Sequence, residues 1–232
     1  MTLLFVSMLF SLSCSSGQDP EPEEENEIPP NQLTFNGIPW TFFNKEVFSA
    51  EETENGIQLD LEQNALWFQA SSGGLLYQTV SGDFTFSATV SVRRKSNGSL
   101  APNCNICLGG LMARNPNADG GENYVHLVSG NTPEETNDGV DELGVEHKST
   151  LDSVSFFNTL PDGLSDHGLR IRRQGSNFSL YVKNIGQSPW QLLHTYDRPD
   201  LPTTLQVGLN IYTAVNGTTA DLRVIYEDIV LE

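Results

Sequence analysis

Trp67, Tyr77, Arg114, Asn123, Tyr124, His126 and Glu146 combine flat aromatic faces with planar donors and a carboxylate, the set of groups that recognises a sugar ring and its hydroxyls. Spacing brings several of them together. Successive side chains of an extended strand point to opposite faces, so in Gly110–Arg114 the side chains of Met112 and Arg114 share one face and Leu111 and Ala113 the other. By the same alternation Tyr124 and His126 face away from Val125 and Leu127. If these two strands are neighbours, Arg114, Tyr124 and His126 line one groove. Each residue also has a plainer reading. Trp67, flanked by Leu66 and Phe68, serves equally well as core; His126 can be a satisfied sheet residue; Glu146 and Lys148 can be a same-face ion pair worth little.

Three other groupings could do chemistry. Cys104 and Cys107 form a Cys-x-x-Cys pair with no second Cys or His pair at zinc spacing and no helix-forming segment after it, so a local disulfide is preferred. Three extended steps would carry the Cα atoms past the ~7 Å bridging limit, which requires Asn105-Ile106 to turn back. Asn117, Asp119, Glu122 and Asn123 surround Gly120-Gly121 with hard oxygen donors. Such a loop could wrap structural calcium, although it lacks EF-hand spacing, and no cofactor is expected beyond that ion. Six of the 12 bases fall in Arg93-Arg94-Lys95 and Arg170-Arg172-Arg173. Arg170 and Arg172 project together, away from Leu169 and Ile171, and are expected to neutralise carboxylates on adjoining strands; docking an acidic glycan or a partner protein is the sharper alternative.

The elements that position these groups are strands. Phe84, Phe86, Ala88, Val90 and Val92 alternate with Thr85, Ser87, Thr89 and Ser91, the period of a half-buried antiparallel strand. The same beat recurs at Ile57–Leu61, Leu169–Arg172, Phe178–Lys183, Leu205–Ile211 and Leu222–Tyr226. Turn dipeptides separate the runs: Asn36-Gly37, Asn55-Gly56, Asn97-Gly98, Asp138-Gly139, Asp162-Gly163 and Asn216-Gly217. Roughly a dozen short strands predict an all-β fold, a two-sheet antiparallel sandwich of jelly-roll type. The last strand, ending in Glu227–Leu231, is expected to pair near the first.

The chain has 232 residues, 12 Lys plus Arg against 30 Asp plus Glu, and a net charge of −18, which argues against nucleic acid as a partner. Its N-terminal end differs from the rest. Met1–Leu12 is almost wholly apolar, too short to span a bilayer and suited to a signal-peptide core. The Ser11-Leu12-Ser13-Cys14 junction resembles a bacterial lipoprotein signal, with Cys14 as the acylated residue; Ser11 where Leu is usual and the lack of a preceding base depart from that pattern. Residues 15–27 hold six carboxylates, no base and no large apolar side chain, the composition of a solvated tether. The tract resembles the export tag of surface lipoproteins and equally suits a plain spacer. The expected organisation is a signal peptide over 1–13, an acidic tether over 14–30 and a folded domain over 31–232. The lipid would be the membrane contact, and the location the outer membrane or cell surface.

The order Asn55-Gly56-Ile57, Trp67, Gly82-Asp83-Phe84, Gly110–Arg114, Glu122–Val125, Gly144–Lys148, Leu169–Arg173 and Gly208-Leu209 resembles bacterial members of the concanavalin A-like lectin/glucanase superfamily, including its laminin-G-like branch and lipoproteins of unknown function. The resemblance covers about residues 35 to 232 and implies a jelly roll. Hydrolases of that superfamily carry Glu-x-Asp-x-x-Glu on one strand. No such run stands here, and Asp138, Asp141, Glu142 and Glu146 have the wrong spacing. Alginate-lyase-like jelly rolls offer a second enzyme class, in which Tyr124-Val125-His126 would stand for the Gln-x-His strand and Tyr181 for the proton donor, but their Arg-rich strand is missing. The expectation is a surface lipoprotein that binds an oligo- or polysaccharide without cutting it. The alternatives are a protein-protein interaction module of a surface complex, or a glycoside hydrolase or polysaccharide lyase with an atypical site.

Overall fold

The computed structural model describes residues 31–69, 71–133, 142–187 and 189–232. The signal-like segment, Cys14, the acidic tether, Asp138 and Asp141 lie outside the described residues. Period-two alternation becomes strand wherever the sequence offers it. In β6 (Phe84–Arg93) the phenylalanines and valines are buried and Thr85, Thr89 and Ser91 only partly so. Among the described residues fifteen strands form two antiparallel sheets. The eight-stranded sheet runs β1 (Gln32–Phe35), β2 (Ile38–Phe43), β5 (Gly74–Ser81), β14 (Thr204–Tyr212), β7 (Cys107–Arg114), β8 (Tyr124–Thr132), β9 (Glu142–Leu151), β10 (Val154–Pro161). The seven-stranded sheet runs β13 (Gln191–Asp197), β12 (Asn177–Asn184), β11 (Asp166–Gln174), β6, β15 (Arg223–Leu231), β4 (Gly56–Leu61), β3 (Phe48–Glu52). Between the sheets, Leu111, Ala113, Val125, Leu127, Val207 and Leu209 of one meet Ile57, Leu59, Phe86, Val90, Ile171 and Val224 of the other.

Two departures from the expected strand pattern have physical causes. The last strand does not pair with the first: β15 lies between β6 and β4, whereas β1 is an edge of the other sheet. β10 was not visible as a strand, because its turn, Asp152-Ser153, carries no glycine yet takes the left-handed conformation at both residues (φ 48° and 63°), while Asn36-Gly37 makes the same turn with the usual pair. The segment around Trp67 is not a strand. It crosses the outer face of the eight-stranded sheet, where Trp67, Leu75, Leu108, Met112, Tyr124, Val128 and Tyr212 form a second apolar cluster. The middle of that sheet is therefore buried on both faces, and all eight residues of β7 are buried.

Candidate functional site

The pairing of β7, β8 and β9 sets the outer face. Met112 stands opposite His126, His126 opposite Lys148, and Val128 opposite Glu146. One oxygen of Glu146 collects three donors: His126 Nε2 at 2.9 Å, Lys148 Nζ at 3.0 Å and the Tyr212 hydroxyl at 3.1 Å. Lys148 Nζ also donates to the Trp67 carbonyl at 3.0 Å. All four side chains are buried. Burial disfavours the Glu146 anion, but Lys148 and the His126 hydrogen bond outweigh it and hold the carboxyl well below its ordinary range. Burial, then the Lys148 charge, pulls His126 down, so the ring stays neutral. A carboxylate only accepts, so Nε2 carries the hydrogen, and buried Nδ1 finds no partner among the described residues. The floor thus holds one anion and one cation in contact, with no net charge.

A roof and a bolt fix this floor. Trp67 is fully buried, donates from Nε1 to the Gly74 carbonyl at 3.2 Å, stacks on Phe43 and meets the Tyr124 ring edge-on. Gly73 passes so close that a Cβ there would lie 2.1 Å from the Trp67 ring. Arg114 is bidentate to Glu122 at 2.6 and 2.7 Å, donates to Gln206 at 2.6 Å, and lies over the Phe43 ring.

Beside the roof an open pocket of about 190 Å³ reaches Glu146 and Lys148, walled by Leu66, Phe68, Ile106, Pro133 and Phe157. Phe68 and Phe157 meet edge to face at 6.2 Å, are 36% and 42% exposed, and have Lys148 Nζ within 5.2 and 5.7 Å of their rings. Glu146 is the one carboxylate among the described residues lining this pocket. Glu142 shares its face of β9 but lies four residues away, roughly 13 Å, beyond the separation of a glycosidase pair.

The sequence-selected residues divide accordingly. Tyr124, His126, Glu146 and Arg114 share one face, with Arg114 opposite Tyr124 as the neighbouring strands require. Only Glu146 lines the open pocket. Trp67 is roof, Tyr124 lies beneath it, and Tyr77 packs at that cluster's margin. Asn123 is not part of the groove: its side chain braces the Gly121 carbonyl, Asp152 and Arg198. Glu146 and Lys148 are more than a weak surface pair, since both are buried. Phe68, Phe157 and Tyr212 escaped the sequence reading. For Tyr212 a signal existed, because alternation along β14 places it on the face of Gly208 and Asn210.

In the loop expected to wrap calcium, two of the oxygen donors are engaged within the protein. The Glu122 carboxylate is taken by Arg114, and the Asn117 oxygen accepts the Asp119 amide. No group of three metal-ligating side chains occurs among the described residues. Cys104 and Cys107 are bonded with Cα atoms 5.6 Å apart, and Ile106 makes the turn at φ 46°, which sets Ile106 in the pocket wall. The lyase pairing fails on geometry: His126 lies on the outer face of the eight-stranded sheet, whereas Tyr181, opposite Arg170, faces out from the seven-stranded one.

Two packed antiparallel sheets with a roofed hollow on the larger make this a β-sandwich of jelly-roll type. No protein-family model matches the sequence, and no curated protein matches it. Solved structures share the fold. A functionally unknown protein from Saccharomyces cerevisiae aligns with TM-score 0.64 and 17% identity over 83% of this chain and 95% of its own. The VIP36 exoplasmic/lumenal domain in its Ca2+/Man-bound form aligns with TM-score 0.52 and 14% identity over 84% of this chain and 83% of its own. The GH43 protein BlXynB from Bacillus licheniformis aligns with TM-score 0.53 and 10% identity, over 75% of this chain but only 32% of its own.

Proposed function

We propose that this chain is a glycan-binding module, held at the cell surface by a lipid on Cys14 and an acidic tether, and that it binds without cleaving. The observation that carries the reading is the open pocket in which Phe68 and Phe157 present exposed ring surface above the fixed Glu146 and Lys148. Aromatic faces pack against the apolar side of a sugar ring, and a neutralised ion pair offers acceptor and donor together to its hydroxyls. Because the floor has no net charge, a neutral sugar is the match. The mannose-bound form of a fold neighbour supports the reading by analogy. Against cleavage stands the lone carboxylate, which is held ionised and so is a poor proton donor.

Affinity electrophoresis through neutral polysaccharides such as mannan and xylan tests this. Phe68→Ala and Phe157→Ala are each expected to weaken retardation by roughly tenfold, the worth of about one aromatic contact. Equal retardation of both variants and the unaltered chain rejects the reading. One observation favours a surface-complex module instead: edge strand β10 and the loop after it expose Val154, Phe156, Leu160 and Leu164, and a partner crosslinked through this edge would support it.

A further inference from the structure

We propose a second ligand site on the opposite side of the sandwich, where Arg170, Lys183 and Trp190 form a groove that takes a saccharide bearing a carboxylate or sulfate. The starting observation is how this acidic chain uses its bases. Arg93, Lys95, Arg114, Lys148, Arg198 and Arg223 sit in ion pairs. Arg94 and Arg173 donate to backbone carbonyls, and Lys45 lies over the Phe42 ring. Arg170, Arg172 and Lys183 make no ion pair or hydrogen bond among the described residues, and all three project from the outer face of β11 and β12. The expectation that Arg170 and Arg172 neutralise neighbouring carboxylates is thereby overturned.

The register explains the convergence. Arg170 stands between Ser87 on β6 and Tyr181 on β12, and Lys183 stands opposite Gly168. Gly168 leaves room for the lysine stem to lie across β11: a Cβ there would come within 2.6 Å of Lys183 Cε. Trp190, just before β13, folds back over both, its ring centre 4.1 Å from the guanidinium carbon of Arg170 and 4.7 Å from Lys183 Nζ. Arg170 Nε is enclosed and has no acceptor, a desolvated donor that an anion would satisfy. Two cations on one ring repel each other, and an anion between them offsets that repulsion. Two acids stand nearby. Asp228 lines the far wall with its carboxylate accepting from Thr89 Oγ1 at 3.0 Å, and Glu227 pairs with Thr89 across the strands; neither lies within ion-pair distance of Arg170 or Lys183.

The ligand class follows from these groups. A guanidinium fork matches a carboxylate or sulfate, while Trp190 and the rim hydroxyls of Ser87 and Thr89 suit a sugar ring. The groove holds about 210 Å³, room for one sugar residue of a polymer that continues along the open sheet face. A net charge of −18 opposes long-range attraction of any polyanion, so recognition rests on contacts that survive salt with a Debye length of about 8 Å.

Affinity electrophoresis of the full chain in mild detergent at 0.15 M salt, through alginate, dextran sulfate and neutral dextran, decides the matter. Retardation is expected in alginate, dextran sulfate or both, which tells carboxylate from sulfate, and not in dextran. Arg170→Gln and Lys183→Gln should each weaken it tenfold or more, with Phe68→Ala unchanged. Arg170→Lys, which keeps the charge and loses the fork, should give an intermediate loss and stands in if Arg170→Gln does not fold. No retardation in either charged gel overturns the proposal. So does retardation that both Gln variants retain, or that poly-glutamate reproduces.

Discussion

Glu146 holds the centre of the outer face because three donors share one of its oxygens and all three of those side chains are buried. Glu146→Gln keeps the shape but strands the Lys148 charge in a buried site, and breaking such a pair costs about 3–5 kcal/mol. Chemical denaturation should show a midpoint lowered accordingly, and a midpoint within a few tenths of a kcal/mol of the unaltered chain would mean the cluster is solvated. The same site sets an acid limit. His126 is pulled down by burial and then by Lys148; His147, stacked on His194, falls to about 4 through burial and then the neighbouring ring. The unfolded chain takes up those protons near pH 6.5 and the folded chain does not. Stability from keeping the rings neutral is therefore complete above pH 6.5 and is lost as pH falls toward 4. Glu146 adds a loss from about pH 4.5 downward, since its folded form resists protonation. A melting temperature that stays level between pH 6.5 and 4 would contradict this account. At this scale the sequence named Arg114, Tyr124 and His126 as companions through alternation, but it could not say that they would be buried, because the roof comes from a segment with no periodicity.

The roof and the strands under it depend on each other. Trp67→Ala removes a fully buried indole, for which about 3–5 kcal/mol is usual; in a chain of this size that is a fall of roughly 10 °C in melting temperature, with the pocket beside it lost through collapse of its Leu66–Phe68 wall. Calorimetry distinguishes this from an exposed, ligand-contacting Trp67, whose removal would leave the melting temperature unchanged. Strand β7 is equally constrained, since a Cβ at Gly110 would lie 2.3 Å from the Leu127 carbonyl oxygen. Elements with alternating apolar and polar residues were legible without coordinates: β4, β6, β11, β12 and β14 all fall on runs identified in the sequence. β10 was not, for its Val-Ser-Phe-Phe stretch mixes faces at a sheet edge where both are exposed, and no Gly marks its turn.

For the molecule as a whole, the proposed display at the cell surface rests on Cys14 and the acidic tract that follows it. Cys14→Ser is expected to move the protein from the membrane to the soluble fraction and to abolish palmitate labelling; membrane retention of that variant would end the lipoprotein proposal. The two proposed ligand sites occupy the outer faces of opposite sheets, one neutral at its floor and one cationic. By itself the sequence determined the layered antiparallel architecture, since a two-residue period is a local property that each strand carries alone, and the acidic balance, which is a sum over residues. The tertiary structure alone decided which outward faces meet solvent. Trp67 covers one hollow and leaves Phe68 and Phe157 at its rim, while Arg170 and Lys183 come together without an ion-pair partner among the described residues. These outcomes depend on segments far apart in the chain arriving at one place, and no local pattern records that encounter.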